Sequence, residues 1–381
     1  MSGCSVGAMP TDEIRPFRVD VPEAVLDDLR DRLARTRWPD QIPGSGWDYG
    51  TDLGYLQDLC DHWRAKFDWR AQEERFNRWP HFLTDIDGQQ IHFIHARADD
   101  PDALPIVLTH GWPGSVSEFL DVIEPLRAHF HVIVPSLPGY GWSGPTVAPG
   151  WDVQRVAEAW TVLMARLGYT RHGVQGGDWG AFVSARVAAL DPEHVAGLHS
   201  NLLLAFPEDP STIQLTDEEA ADLAAAGAFM TEGAAYQEIQ GKNPQTLGYG
   251  LTDSPAGLAG WIVEKFRAWT DNDGNPEDAV GRDQILTNLT VYWVTKTINS
   301  SIRLYCESQR GRNFGPSDQY VSVPTAAAVF PKEIFRCPEA YARSRFNLVR
   351  YTRFDRGGHF AALEEPDLFV QDVTEFFLSL A

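Results

Sequence analysis

The sequence has little of what builds a metal site, a disulfide framework or a membrane anchor. Its four cysteines are Cys4, Cys60, Cys306 and Cys337. None lies in a CxxC pair or at zinc-ligand spacing from histidines, which argues against a metal and for a reduced, cytoplasmic protein. No run approaches the ~18 apolar residues of a membrane span. The opening MSGCSVGAMPTDEIRPF lacks the apolar stretch of a signal peptide or lipoprotein leader, so a soluble chain without a stable membrane anchor is expected. Basic residues are scarce, with 32 Lys and Arg against 53 Asp and Glu, a net charge of −21. Such a surface repels nucleic acid and anionic membranes. Internal repeats and low-complexity tracts are missing as well. The acidic loop TDNDGNPEDAV at 270–280 has Gly274 misplaced for a calcium loop, and is read as solvated, with no metal and no cofactor.

What is present suits a globular enzyme. A length of 381 residues, 43% hydrophobic and 12% aromatic, supports a sizeable core. It is long for one hydrophobic core, so a main domain with insertions or extensions is expected. The first quarter reads as helical and irregular. VPEAVLDDLRDRLARTRWPD places Val25, Leu29, Arg32 and Leu33 at helical spacing between Pro22 and Pro39, and DLGYLQDLCDHWRAKFDW is a second amphipathic segment. HFLTDIDGQQIHFIHAR reads as a β-hairpin turning at Asp87-Gly88.

The pattern changes near residue 104. LPIVLT, HVIVP, HGVQG and HVAGLHSNL are short apolar strands alternating with helical stretches, among them WDVQRVAEAWTVLMARLGY with Asp152 as its N-cap. That alternation indicates a parallel α/β sheet. From about 202 to 315 the strand signal fades. STIQLTDEEAADLAAAGAFM, PAGLAGWIVEKFRAWT and DQILTNLTVYWVTKTINSSIRLY are all helix-like. VPTAAAVF and NLVRYTRFD then resume the strands, and EPDLFVQDVTEFFLSL closes the chain as a helix. A helical block between strands of one sheet is the arrangement of a lid over the strands' carboxyl ends. The expected division is an N-terminal extension over 1–98, an α/β core over 99–201 and 316–381, and a helical lid over 202–315.

GVQGGDWGAF at 173–182 has the shape of a nucleophile elbow: a strand, a tight turn between small residues, and a helix start. The residue at the tip is Asp178, between Gly176 and Gly180. Taken alone, an aspartate capping the following helix accounts for the pattern equally well. Its company decides. Hydrolases of this type run nucleophile, acid, histidine along the chain, and FDRGGHFAALEEP puts His359 on a loop after a strand and before the last helix. For the acid, Glu333 follows the strand end in AAAVFPKEIF, with Asp355 as its rival; Glu364 and Glu365 open the last helix, where the dipole favours acids anyway. Backbone N–H groups of Trp112, in HGWPG, and of Trp179 are available as an oxyanion site. Ser143 and Ser115 lack the elbow context, so neither is a convincing nucleophile.

The aspartate carries chemical meaning. A serine attacking a saturated carbon would leave an ether, whereas a carboxylate leaves an ester that water can cleave. Asp178 therefore points to displacement at an sp3 carbon, with His359, oriented by Glu333, activating water against the ester. If the leaving group is an epoxide oxygen, a weak acid such as tyrosine must protonate it. Tyr236, Tyr249, Tyr292 and Tyr305 all lie in the helical block, and nothing in the residues chooses among them.

Over nearly its whole length the sequence resembles the microsomal-type and juvenile-hormone epoxide hydrolases. The matching stretches include IRPFRVDVPEAVLDDLRDRLARTRWPD, THGWPGS, VQGGDWG, GKNPQTLGYGLTDSPAGLAGWIVEKF, NLTVYWVTKTINSSIRLY, FPKEIF and RGGHFAALEEP. The resemblance implies an α/β-hydrolase fold with a mostly parallel sheet, an inserted helical lid and an N-terminal extension wrapping the core. It implies Asp178 as nucleophile, His359 as the water-activating base and Glu333 as its partner. It also matches the family's two proton-donating lid tyrosines to Tyr236 and Tyr305. The departure is the N-terminal membrane anchor of the mammalian enzymes, which this sequence lacks. The expected partner is a small apolar epoxide, with no nucleic acid; a homodimer is left open. Two alternatives are a haloalkane or haloacid dehalogenase with the same triad, and a binding protein that kept the fold without the chemistry.

Overall fold

A computed structural model describes residues 12–315 and 319–380; Cys4 and the start of the chain lie outside them. Nine strands form one sheet in the order β1-β2-β3-β5-β4-β6-β7-β8-β9. They are β1 (Arg15–Phe17), β2 (His81–Ile86), β3 (Gln89–Ala96), β4 (Pro105–Thr109), β5 (His131–Pro135), β6 (His172–Gly176), β7 (Val195–Ser200), β8 (Val321–Val329) and β9 (Phe346–Arg353). From β5 to β9 every neighbouring pair is parallel. β1, β2 and β3 join the β5 edge as antiparallel strands. The β2–β3 hairpin turns at Asp87 (φ 52°) and Gly88 (φ 76°), the pair of positive φ values that a two-residue turn needs to match strand twist. Since β3 pairs with β5, the sheet runs unbroken across position 98.

The central strands are apolar on both faces because both are covered. Along β4 and β5, Ile106, Leu108, Val132 and Val134 enter one buried cluster, while Val107 and Ile133 enter the other. This is the two-residue alternation of a pleated strand serving two cores at once. The helix Val153–Arg166 starts on Asp152, whose Oδ1 accepts the Arg155 N–H at 3.0 Å, as expected. In the helix Glu23–Ala34 the buried face is Leu26, Leu29 and Leu33. The sequence reading put Arg32 on that face; instead its guanidinium reaches out to the Asp253 carbonyl and carboxylate, each at 2.8 Å.

Between β7 and β8 the described residues form no strand, and the longer helices are Asp217–Ala228, Ala235–Lys242, Pro244–Asp253, Pro255–Trp269, Arg282–Thr295 and Ile298–Arg310. The last two replace the continuous helix that DQILTNLTVYWVTKTINSSIRLY suggests. Lys296 takes a left-handed conformation (φ 56°) and stops the first helix. The break lets Thr297 Oγ1 accept the Gly141 N–H at 3.2 Å, a tertiary contact invisible to periodicity. The first quarter of the chain grips this block: Thr51 Oγ1 donates to the Gly260 carbonyl at 2.6 Å and Trp63 Nε1 to Thr290 Oγ1 at 2.9 Å. Among the described residues no helix is long and apolar enough to cross a membrane.

Candidate active site

Strand β6 delivers Asp178 to the sheet's carboxyl edge, immediately before the helix Trp179–Leu190. Asp178 sits at φ 50°, ψ −128°, a conformation that L-residues adopt only when the surroundings impose it. The imposing contacts are those of its glycines. A Cβ on Gly176 would lie 2.1 Å from the Gly180 carbonyl oxygen, and one on Gly180 would lie 1.9 Å from that of Thr109. Strand and helix approach too closely for any side chain there. The Asp178 carboxylate makes no capping bond to the helix it precedes, so helix capping does not account for it.

Its oxygens point elsewhere. Oδ1 accepts the Trp112 N–H at 2.7 Å, and Oδ2 lies 3.4 Å from His359 Nε2. Trp179 opens the helix, so its N–H is among the first-turn donors that have no partner within the helix. The loop carrying Trp112 is pinned from the helix Arg282–Thr295. Asn288 Nδ2 donates to the Pro113 carbonyl at 2.7 Å and the Tyr292 hydroxyl to that of Gly114 at 2.8 Å.

Behind His359, Nδ1 donates to Glu333 Oε1 at 2.6 Å, with both side chains buried. The same oxygen accepts the Ile334 N–H at 2.7 Å. Asp355, the rival acid, has its side chain 89% exposed beside Arg356. Glu364 is occupied with the Asp271 and Phe360 N–H groups, and Glu365 with Arg356. Burial alone would lower the His359 pKa, but the Glu333 and Asp178 carboxylates outweigh it and hold the imidazole well above its ordinary value. An imidazole between two carboxylates keeps its proton until one charge is removed.

Of the four tyrosines, Tyr249 is 71% exposed and Tyr292 spends its hydroxyl on Gly114. Tyr236 and Tyr305 are buried with ring centroids 5.9 Å apart. Tyr236 stacks on Trp112 (5.4 Å, 13°), and Tyr305 stands edge-on to Trp179 (4.7 Å, 90°). Burial, reinforced for Tyr236 by the Asp178 charge and for Tyr305 by Tyr236 and Asp178, pushes both phenols above their ordinary pKa. At neutral pH both carry protons.

Asp178, Tyr236 and Tyr305 share the wall of one cavity of about 520 Å³. Gln237 is the other polar lining side chain apart from the Trp179 indole; the rest is apolar and includes Phe182, Leu204, Phe229, Met230, Phe314 and Phe335. A second cavity, about 20 Å³, is lined by Asp178, His359, Glu118, Asn201 and apolar neighbours. It has room for one water and polar groups to hold it. Glu118 is pushed up to about 8 by burial, with His359 opposing and Asp178 adding to the shift. Sequence reasoning missed Glu118 and Asn201. Asn201 directly follows β7, a sheet-edge position that the rule for ligand sites in open α/β sheets marks out.

The family profile described as "Epoxide hydrolase N terminus" matches residues 14–119, and that for the "alpha/beta hydrolase fold" matches residues 105–229. Epoxide hydrolase 1 of Sus scrofa is 36% identical, over 98% of this chain and 90% of its own. The chain belongs to the epoxide hydrolase family. Among solved structures, the juvenile hormone epoxide hydrolase of the silkworm Bombyx mori superposes with a TM-score of 0.89 at 33% identity, covering 97% of this chain and 95% of that one. The Aspergillus niger epoxide hydrolase gives 0.87 at 32% identity, with 97% of each chain covered. The expected α/β-hydrolase fold is thereby shown. The dehalogenase alternative is not favoured: a halide needs no proton, and two protonated phenols share the nucleophile's cavity in this epoxide hydrolase family member.

Proposed function

We propose that this chain hydrolyses apolar epoxides to vicinal diols through an ester on Asp178. The observation that carries the reading is one cavity wall holding a carboxylate and two protonated phenols, with a histidine–carboxylate pair against the carboxylate's Oδ2. Oδ2 of Asp178 attacks an oxirane carbon; the C–O bond breaks, and the opening oxygen takes a proton from Tyr236 or Tyr305. Oδ1 becomes the ester carbonyl, already on the Trp112 N–H, with the Trp179 N–H as the second donor. With the Asp178 charge gone, His359 gives its Nε2 proton up to solvent, to be recovered when the carboxylate is regenerated. Water in the small cavity then gives a proton to the freed Nε2 as its oxygen adds to the carbonyl carbon. The tetrahedral oxyanion collapses, the departing alkoxide takes the proton from His359, and the remaining water proton restores the phenol. Glu333 stabilises the imidazolium between these transfers. In this reading residues 202–315 act as the lid and 1–98 brace it, supported by the contacts of Arg32, Thr51 and Trp63 with the helical block.

A single turnover in heavy-oxygen water tests the scheme. The first diol formed should carry two unlabelled oxygens, one from the epoxide and one from the carboxylate. Full labelling of that first product would mean direct attack by water and overturn it.

The mechanism has a pH signature. Ester formation removes the Asp178 charge, one of the two that hold the His359 pKa up, so the imidazole becomes more acidic in the intermediate. A raised pKa favours the protonated form, and the base appears as pH rises. Ester hydrolysis is therefore expected to fall as pH drops through a pKa lower than that of His359 in the resting enzyme. Stopped-flow decay of the ester across pH, set against imidazole titration by NMR, measures both. Equal values would contradict the charge argument.

A further inference from the structure

Among the described residues Lys265 is the one lysine whose side chain is buried in the aromatic cluster beside the active site. It lies on the helix Pro255–Trp269, with its side chain 5% exposed. Its ammonium stands 4.4 Å from the centre of the Tyr236 ring, and 5.8 and 5.9 Å from those of Trp269 and Trp261. Glu264, on the same helix, is its ion-pair partner. Burying an ammonium is costly unless it is well compensated, and a methionine would fill the same space without that cost. The ring it faces most closely is that of the tyrosine that shares its cavity with Asp178.

We propose that Lys265 is a positioning residue for Tyr236, holding the phenol ring and stabilising the phenolate that forms as it gives its proton to the opening epoxide oxygen. This rests on the reading of Tyr236 as a proton donor. The step is balanced: the phenol O–H proton moves to the oxirane oxygen and negative charge appears on the phenol oxygen, with no proton taken from or given to Lys265. Around Tyr236 the charged and polar groups are Asp178, Tyr305, Glu264, Lys265 and Gln237. Burial and the two carboxylates oppose phenolate formation. Gln237 Nε2 donates to the phenol oxygen at 3.0 Å, so the hydroxyl hydrogen is not spent on Gln237. Of those side chains Lys265 brings the full positive charge. Cation–π attraction strengthens as the ring gains electron density, so the ammonium favours the later part of the proton transfer more than its start. The same helix ends at Trp269, whose carbonyl accepts the His359 N–H at 2.9 Å, so one rigid element carries both supports.

The test separates ester formation from ester hydrolysis on an aryl epoxide, by stopped-flow tryptophan fluorescence in single turnover. Lys265→Met should slow ester formation about 10-fold, leave ester hydrolysis within twofold of wild type, and be largely rescued by Lys265→Arg. Lys265→Gln replaces the methionine variant if that one does not fold. In a Tyr236→Phe background, removing Lys265 should cost nothing further. Equal slowing by Lys265→Met in both backgrounds, or slowing of hydrolysis instead of formation, would overturn the proposal. If Tyr236→Phe by itself leaves ester formation unchanged, the donor reading of Tyr236 fails, a different result from failure of the Lys265 proposal.

Discussion

Exchanging His359 for glutamine is expected to trap the enzyme after one chemical event, with the substrate held as an ester on Asp178. The amide can still donate to Glu333, which otherwise would be left as a buried, unpaired carboxylate, but it cannot take a proton from water. Ester formation uses the Asp178 carboxylate and the two phenols, none of which the exchange removes. Hydrolysis loses its base, and steady-state turnover should fall about 10⁴-fold or more, the usual consequence of deleting one member of such a set. Intact mass after incubation with substrate should rise by the mass of the epoxide, and digestion should locate the addition on the peptide containing Asp178. An unmodified, inactive protein would mean that His359 acts before the carboxylate attacks, and the assigned roles would be wrong.

Changing Tyr236 and Tyr305 together to phenylalanine should have an effect of similar size on the other half of the reaction. The opening oxygen leaves as an alkoxide unless a proton arrives, and in an apolar cavity an unprotonated alkoxide is far less stable than in water. Ester formation should slow by roughly 10⁴-fold, at the upper end of what a positioned acid supplies, while decay of ester already formed changes little. Each single change should cost much less than the pair, because the remaining phenol still reaches the same oxygen. Comparison of the two single variants and the double in single turnover checks this. A double variant within tenfold of wild type would show that the proton comes from another source.

Much of the candidate site was legible because its parts are local. Asp178 announces itself through Gly176 and Gly180, and the structure shows what excludes larger residues at both. Glu333 and His359 stand just past strand ends in the expected chain order, and Asp355 drops out because its side chain points into solvent. The tyrosines were not legible from the residues. Tyr292 and Tyr305 lie one helix apart in one continuous apolar pattern, and only the left-handed break at Lys296 sends one to a backbone carbonyl and the other to the cavity. The resemblance to the family supplied that choice. Glu118 and Asn201 carry no motif: they come from segments far apart in the chain and meet Asp178 only at the wall of the small cavity. β1 is three residues long and mostly exposed, too short for alternation to register.

The apolar cavity also treats what enters and what leaves unequally. An epoxide offers one weak acceptor, which the phenols satisfy. The diol carries two hydroxyls, each a donor as well as an acceptor, and a wall built from Phe182, Leu204, Phe229, Met230, Phe314 and Phe335 answers few of them. Each hydroxyl without a partner costs about 1–3 kcal/mol, a penalty that the substrate never meets. Product is thus driven toward bulk water by partition, much as a solute passes from oil into an aqueous layer once it becomes polar. The reaction itself supplies the force that empties the cavity.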